Sequence, residues 1–230
     1  MAEGVRSVEE LLASPLRTIG VLTAPQLGAA PRGVLLLQLL AARGISTTPV
    51  SEAEFRSAAE TESPQGVLAV AEIPHRTLDG LTLRNGFRLL LLDGLQDPGN
   101  VGTILRTAAA FSFDATVALP GTVDIWNPKV VRGSMGSLYH HAAFHGTADA
   151  VLSFLERQRL ELWGADSKGE PLGGGPVPDR LALAVGNEGS GLSSYVGERV
   201  SRLVSIPLAA GVESINVAVA TGILLHQLRN

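Results

Sequence analysis

Three polar clusters bordered by glycine hold the residue types best suited to bind a ligand. They are Asp97-Pro-Gly-Asn-Val-Gly-Thr-Ile-Leu-Arg-Thr-Ala108, Gly186-Asn-Glu-Gly-Ser-Gly-Leu192 and the stretch that ends in Glu213-Ser-Ile-Asn216. The first two follow apolar runs typical of strands, and the third opens an apolar helix. Ligands of open α/β sheets bind where such loops leave the carboxyl ends of strands. The sequence therefore predicts a ligand crevice at one sheet edge.

Two side chains in these clusters suggest specific chemistry. Arg106 lies off the apolar stripe of its predicted helix, where a guanidinium can hold a phosphate through two parallel hydrogen bonds. Asn216 is predicted to lie inside an apolar helix capped by Ser214, where a buried carboxamide needs a partner. The alternative is structural, with Arg106 a solvated surface side chain and Asn216 bonded to a neighbouring loop.

Several other kinds of site are disfavoured. The sequence contains no cysteine, which excludes disulfides and thiolate metal ligands. His140 and His141 are adjacent, so in a strand they would point to opposite faces, and no His-Glu-x-x-His spacing occurs; no metal site is expected. The glycine spacing from Gly186 to Gly191 fits neither the dinucleotide fingerprint nor a P-loop, which disfavours nicotinamide cofactors and nucleoside triphosphates.

Charge and hydropathy limit the partners. A net charge of -4 argues against a general polyanion binder, because such affinity comes from cations that neutralise phosphates. Any nucleic-acid role then needs a local patch, for which Arg106, Lys129, Arg132, His140 and His141 are candidates unless they are ordinary solvated charges. The apolar run at 33–42 is shorter than the roughly 20 residues of a membrane span. The acidic start does not resemble a secretory signal, so a cytoplasmic location is the expectation.

The elements that position these clusters fall into two groups separated by a polar, turn-rich segment at 74–86. Before it, strands are predicted at 18–23, 44–50 and 66–71, with helices at 34–42 and 51–59. After it, strands are predicted at 88–92, 115–119, 142–144, 160–165, 181–185 and 203–206, with helices at 99–112, 130–132, 148–158 and 214–228 and a surface loop at 169–178. Continuous apolar strands are typical of a parallel sheet with helices on both faces, so the fold class is α/β.

In order and spacing, the three clusters resemble the motifs of the SpoU, or TrmH, branch of the knotted SPOUT RNA methyltransferases. The third motif begins at Ile206-Pro-Leu208 and runs through Ser214-Ile-Asn-Val-Ala-Val-Ala220, and the resemblance covers residues 87–230. Residues 1–73 resemble the L30e-like substrate-binding domain often joined to that catalytic domain, without the helix that usually precedes Glu3.

The resemblance implies that S-adenosylmethionine binds in a C-terminal deep trefoil knot. By position in the motifs, the implied cofactor contacts are Gly186, Ile206 and Ile215, with Leu208 lining the adenine pocket. The residues that match the family's active site are Asn100, Arg106, Glu188, Ser214 and Asn216. Contacts to RNA are further expected at Lys129, Arg132 and Ser134, in the segment at 127–136.

The implied reaction is methylation of a ribose 2′-hydroxyl in RNA, with 23S ribosomal RNA favoured over transfer RNA. A guanidinium holds its proton too tightly to act as a base, so Arg106 is expected to fix a phosphate and stabilise the developing alkoxide. The family further implies a homodimer packed through the knotted domains. The alternative in another class is an RNA-binding module that keeps this fold without catalysis.

Overall fold

The computed structural model describes residues 1–173 and 175–229 and divides the chain into two compact units. The first comprises Met1–His75 together with Met135–His140, and the second comprises Arg76–Ser134 and the chain from His141 onward. Of the predicted surface loop at 169–178, Gly174 lies outside the described residues, as does Asn230 at the end of the chain.

The first unit is a small α/β layer whose four-stranded sheet has the order β1-β4-β2-β3. Its elements are β1 (Ala2–Glu3), α1 (Val5–Ala13), β2 (Thr18–Thr23), α2 (Pro31–Ala42), β3 (Thr47–Pro49), α3 (Glu52–Ala58) and β4 (Val67–Ala71). Strand β2 has the predicted bounds, and α3 carries the predicted capping box between Ser51 and Glu54. Helix α1 was not predicted, although its buried Val5, Val8 and Leu12 recur at helical spacing.

The remaining elements alternate strands with helices. In chain order they are β5 (Arg88–Asp93), α4 (Pro98–Ala110), β6 (Ala115–Ala118), α5 (Pro128–Gly133), α6 (Ser137–His140), β7 (Ala142–His145), α7 (Ala148–Gln158), β8 (Glu161–Pro171), β9 (Leu181–Gly186), α8 (Ser194–Gly197), β10 (Arg202–Ser205) and α9 (Val217–Leu228). All belong to the second unit except α6, which packs in the first. There the Tyr139 hydroxyl lies 2.9 Å from Ser7 Oγ. In the described residues, no helix has the length and apolar character that crossing a bilayer requires.

The second unit is built on a six-stranded sheet of order β10-β8-β9-β5-β6-β7, in which every described pair is parallel. The central strands β5 and β9 are buried throughout, as their continuous apolar runs predict. Leu89 and Leu91 pack with Phe154 of α7 on one face. On the other face, Arg88 of β5 bonds to the end of α9, which packs against α4. The predicted α/β class with a parallel sheet and helices is confirmed.

The predicted surface loop and the predicted linker both differ from the structure. Strand β8 continues to Pro171, into the predicted loop, because β10 pairs with its far end after a register shift between Leu203 and Val204. Residues 76–86, predicted as part of a linker, belong to the second unit, where Leu78, Leu81 and Leu83 pack against the core. The polar composition, the turn residues and the irregular spacing of these leucines gave no periodic pattern from which their packing could be predicted.

The amino-terminal edge of the sheet holds buried polar groups. Arg88 is 5% exposed, and its Nε donates to the Leu228 carbonyl at 2.8 Å while Nη1 donates to the Asp179 carbonyl at 2.9 Å. His141, just before β7, is also buried, and its Nε2 lies 2.8 Å from the Thr116 hydroxyl. Burial, with a smaller effect of the nearby Arg76 charge, lowers the pKa of His141 to about 4.

Candidate active site

The carboxyl ends of the parallel strands bring the predicted polar clusters to one edge of the sheet. Asp93 ends β5, and its Oδ2 accepts a hydrogen bond from the Ser193 backbone at 2.7 Å. In the loop after β9, Asn187 Nδ2 donates to the Gly94 carbonyl at 2.9 Å. These two hydrogen bonds join the start of the loop after β5 to the loop after β9, and so hold the first two clusters next to each other.

Asn100 links all three clusters through its side-chain carboxamide. Its Nδ2 donates to Glu188 Oε1 at 2.8 Å, and its Oδ1 accepts from Asn216 Nδ2 at 3.0 Å. Its backbone N–H is held at 2.7 Å by Asp97, the N-cap of α4. We call this chain of side chains, Glu188, Asn100 and Asn216, the polar triad. Both sides of the Asn100 carboxamide are engaged, which fixes its orientation in the site.

The position of Asn216 corrects two predictions. Asn216 is exposed rather than buried in a helix, and it is the N-cap of α9 in place of Ser214. Its Oδ1 accepts from the backbone N–H groups of Ala218 at 2.9 Å and Val219 at 3.3 Å. Serine and asparagine are both good caps, so the sequence alone could not place the start of the helix. Ser214 lies exposed in the preceding loop, outside the polar triad.

Arg106 stands apart from the polar triad. It is exposed on α4, more than one helical turn beyond Asn100, and its side chain has no polar partner within 1–173 and 175–229. The structure thus brings Asn100, Glu188 and Asn216 together and leaves Arg106 as an uncompensated cation on the same helix. Such a group is available to an anionic ligand.

The predicted cofactor contacts lie in the loops after β9 and β10. Gly186 is buried at the end of β9, and a Cβ there would lie 2.2 Å from the Gly191 carbonyl carbon, so the chain's own hairpin requires glycine. Ile206 and Ile215 are half-buried, and Leu208 is 37% exposed. Apolar side chains therefore remain partly uncovered in the loop that follows β10.

The predicted RNA contacts differ in accessibility. Lys129 is exposed and Arg132 half-buried on α5. Ser134 is fully buried, and its hydroxyl donates to the Val131 carbonyl at 2.7 Å. Its side chain therefore offers no surface for the RNA contact that was predicted. His141 is also buried, so its ring does not join the predicted basic patch, whereas His140 is exposed and belongs to the first unit. Composition cannot reveal such burial.

Sequence reasoning did not single out Asp93, Asp97 and Asn187 as organisers of the site. Asp93 ends a strand, Asn187 directly follows one and Asp97 directly precedes a helix, positions where Asp and Asn side chains bind backbone N–H groups. Asn187 Oδ1 accepts from the backbones of Gly189 at 2.9 Å and Ser190 at 3.1 Å, which shapes the turn that carries Glu188. In the described part of the chain, no group of three or more acidic or histidine side chains could hold a metal ion.

Two sequence profiles of known families match this chain. The profile of the SpoU rRNA Methylase family matches residues 88–226. The profile described as RNA 2′-O ribose methyltransferase substrate binding matches residues 1–77.

Individual relatives agree with these matches. The 23S rRNA (guanosine(2553)-2′-O)-methyltransferase RlmP of Bacillus subtilis is 37% identical over 81% of this chain and 73% of its own length. The SpoU methyltransferase AviRb of Streptomyces viridochromogenes, solved with AdoMet, superposes with a TM-score of 0.87 at 28% identity, covering 98% of this chain and 87% of that one. An AdoMet-bound rRNA methyltransferase of Sinorhizobium meliloti superposes with a TM-score of 0.82 at 25% identity, covering 99% and 85%.

Proposed function

Because the chain belongs to the SpoU rRNA methylase family, we propose that it transfers a methyl group from S-adenosylmethionine to a ribose 2′-hydroxyl of 23S ribosomal RNA. The observation that carries this proposal is the polar triad, which joins all three motif clusters through hydrogen bonds of 2.8 and 3.0 Å. The names of the relatives support ribosomal over transfer RNA.

The residues around the site fit S-adenosylmethionine. Ile206, Leu208 and Ile215 leave apolar surface uncovered in loops at the sheet edge, which suits an adenine ring. Gly186 ends β9 and leads into the turn at residues 188–190, which is exposed at the same edge. When bound, the cofactor supplies an electrophilic methyl group on its sulfonium. We assign these four residues to its binding.

The chain's own polar residues then act on the RNA. Asn100, held by Glu188 and Asn216, orients the target ribose, since its carboxamide cannot rotate without breaking two hydrogen bonds. Arg106 binds the adjacent phosphate and stabilises the negative charge that develops on the 2′-oxygen. We assign Ser214, which is exposed in the loop before Asn216, to contact with the ribose or the cofactor. Positioning and electrostatics of this kind can supply several kcal/mol of barrier reduction.

RNA binding extends to α5 and the first unit. We assign Lys129 and Arg132 to phosphate contacts, and we leave out Ser134 because its side chain is buried. The match to a substrate-binding profile supports an RNA-binding role for the first unit, for which an L30e-like shape is the proposal. An enzyme of ribosomal RNA is expected to work in the cytoplasm.

The path of the C-terminal segment supports the proposed trefoil knot. Strand β10 pairs with β8, while α9, which follows β10, packs against α4 near the middle of the sheet. The intervening residues 206–216 must therefore return across the edge where the β9 loop lies. Residues 206–216 form the knot by passing between this loop and the rest of the second unit.

The surface of α9 supports the proposed homodimer. Val219 is 54% exposed and Ile223 is 37% exposed, and the two are spaced to lie on one face of the helix. A second copy would cover such a face. Light scattering should give the mass of a dimer, and a stable, active monomer would contradict the assignment.

The decisive experiment measures transfer of labelled methyl from S-adenosylmethionine to 23S and transfer RNA that lack their natural methylations. We expect label on one 2′-O-methyl nucleotide of 23S RNA. Arg106→Ala should reduce the rate by about 100- to 1000-fold, as loss of a charge-stabilising donor does. Arg157→Ala, which removes an exposed arginine of α7, is the matched control and should keep full activity. Cofactor binding without transfer to any RNA would favour the non-catalytic module.

A further inference from the structure

Helices α4 and α5 meet backbone to backbone at a pair of glycines. A Cβ on Gly102 would lie 2.8 Å from the Val130 carbonyl oxygen and 2.9 Å from Gly133 Cα. A Cβ on Gly133 would lie 3.3 Å from Gly102 Cα. Packed helices ordinarily keep their axes about 8 to 10 Å apart, at a distance that side chains set. Here no side chain separates the helices, so α5 approaches α4 as closely as backbones allow.

The direction of the crossing places two cations beside it. A Cβ on Gly133 would lie near Gly102 and 3.8 Å from the Gly99 carbonyl oxygen. A Cβ on Gly102 would instead lie near the Val130 carbonyl oxygen. The two helices are therefore antiparallel where they meet. From the glycine contact, the same direction along the surface leads forward along α4 to Arg106 and backward along α5 to Lys129. Arg106 follows Gly102 by one helical turn, and Lys129 precedes Gly133 by one turn, so each shares the side of its helix that carries the glycine.

Both cations are available to a ligand. Arg106 and Lys129 are exposed, and neither side chain has a polar partner among the described residues. Two exposed and uncompensated positive charges beside one crossing form a local positive surface that attracts anions. A sugar-phosphate backbone supplies anions at regular spacing, and contacts to it position a nucleic acid without reading its sequence.

We propose that Gly102 and Gly133 are positioning residues for RNA. Their contact holds Arg106 and Lys129 close enough to bind neighbouring phosphates of one single-stranded segment beside the target ribose. This inference rests on the proposed function and specifies which part of the substrate the α4–α5 surface binds. A side chain at either glycine would spread the helices and separate the two cations.

The test is a graded pair of substitutions with a matched control. Gly102→Ala creates contacts under 3.0 Å, and Gly133→Ala creates one of 3.3 Å. Gly222→Ala in α9 faces α4 with ordinary room, since its Cβ would lie 3.5 Å from Thr107. We expect KM for RNA to rise about tenfold in Gly102→Ala, about threefold in Gly133→Ala and not at all in Gly222→Ala. The affinity for S-adenosylmethionine should be unchanged in all three.

Two further measurements separate positioning from general damage. Each phosphate contact on a single strand contributes about 0.7 to the slope of log affinity against log salt, so Gly102→Ala should reduce that slope by about 0.7 or more. Lys129→Ala should weaken RNA binding in the wild-type chain but have less effect in Gly102→Ala, because the contact is already lost. If Gly102→Ala does not fold, Gly133→Ala with the same double-mutant comparison decides.

The inference is wrong if folded Gly102→Ala keeps the wild-type KM and salt slope. It is also wrong if cofactor affinity falls in parallel with RNA affinity, which would indicate a structural role alone. Absence of methyl transfer by the wild-type protein would instead contradict the proposed function, so the two failures are distinguishable.

Discussion

The two edges of the second unit's parallel sheet use polar residues in opposite ways. At the amino-terminal edge, Arg88 and His141 are buried and bonded within the protein. At the carboxyl-terminal edge, Glu188 and Asn216 are exposed, and further along the adjoining helix α4 the Arg106 side chain has no polar partner among the described residues. The amino-terminal edge thus buries Arg88 and His141 to hold the fold, whereas the carboxyl-terminal edge keeps Glu188 and Asn216 accessible. Strand β7 shows both cases, with buried His141 before it and exposed His145 at its end.

The largest expected effect is at the amino-terminal edge. Arg88→Met should lower the free energy of unfolding by about 3 to 5 kcal/mol, because it leaves the Leu228 and Asp179 carbonyls without their buried donor. Arg84→Met is the control at the same edge, since Arg84 is half-exposed and bonded to Asp114, and it should cost less than about 1 kcal/mol. Urea unfolding measures the stability of both variants. Equal losses of stability would contradict the expected difference between a buried and a half-exposed arginine.

A pH dependence of stability should come from His141. Its pKa is about 4 in the folded protein and 6.5 when unperturbed, so between these values the unfolded chain binds a proton that the folded chain does not. Stability is therefore full above pH 6.5, falls as the pH drops toward 4 and levels off below. The loss over this window is about 3 kcal/mol, at about 1.4 kcal/mol per pH unit.

Urea unfolding at several pH values checks this expectation. His141→Gln has no titrating ring, so its stability should fall less steeply between pH 6.5 and 4 than that of the wild type. Identical slopes in His141→Gln and the wild type would refute a buried neutral imidazole.

Substitutions at Asn216 separate stability from activity at the carboxyl-terminal edge. Asn216→Ala removes the cap of α9 and should cost about 1 to 2 kcal/mol of stability. Asn216→Asp keeps the cap but cannot donate to Asn100, so stability should stay within about 0.5 kcal/mol while methyl transfer falls. Thermal unfolding beside the transfer assay measures both, and a fully active Asn216→Asp would remove this bond from the mechanism.

The smallest effect is expected from Glu188→Gln. The glutamine oxygen can still accept from Asn100 Nδ2, so transfer should fall by about fivefold or less, equivalent to about 1 kcal/mol. The pH profile should keep its shape if Glu188 organises the site without carrying protons. Loss of one limb of that profile would instead assign proton transfer to Glu188.

Much of the fold could be predicted from periodicity and caps. Helix α7 has the predicted bounds of residues 148–158 because its apolar stripe and its Thr147 cap agree. The polar triad was predicted only as a set of residues, since no sequence pattern states that Asn100 bonds to both Glu188 and Asn216. The burial of Ser134 and Asn216 was misjudged because it depends on tertiary packing, which a local pattern does not contain.

The first unit is made of two stretches that are far apart in the chain, Met1–His75 and Met135–His140. Ribosomes deliver a chain from its start, and domains generally fold as units during synthesis. The first unit cannot be completed until residue 140 has emerged, by which time β5, α4 and β6 have already been synthesised. The same arrangement warns against excising the unit at residue 75, because the fragment would lack Tyr139, the partner of Ser7. The first unit therefore begins to be synthesised before the second but can be completed only after part of the second has been synthesised.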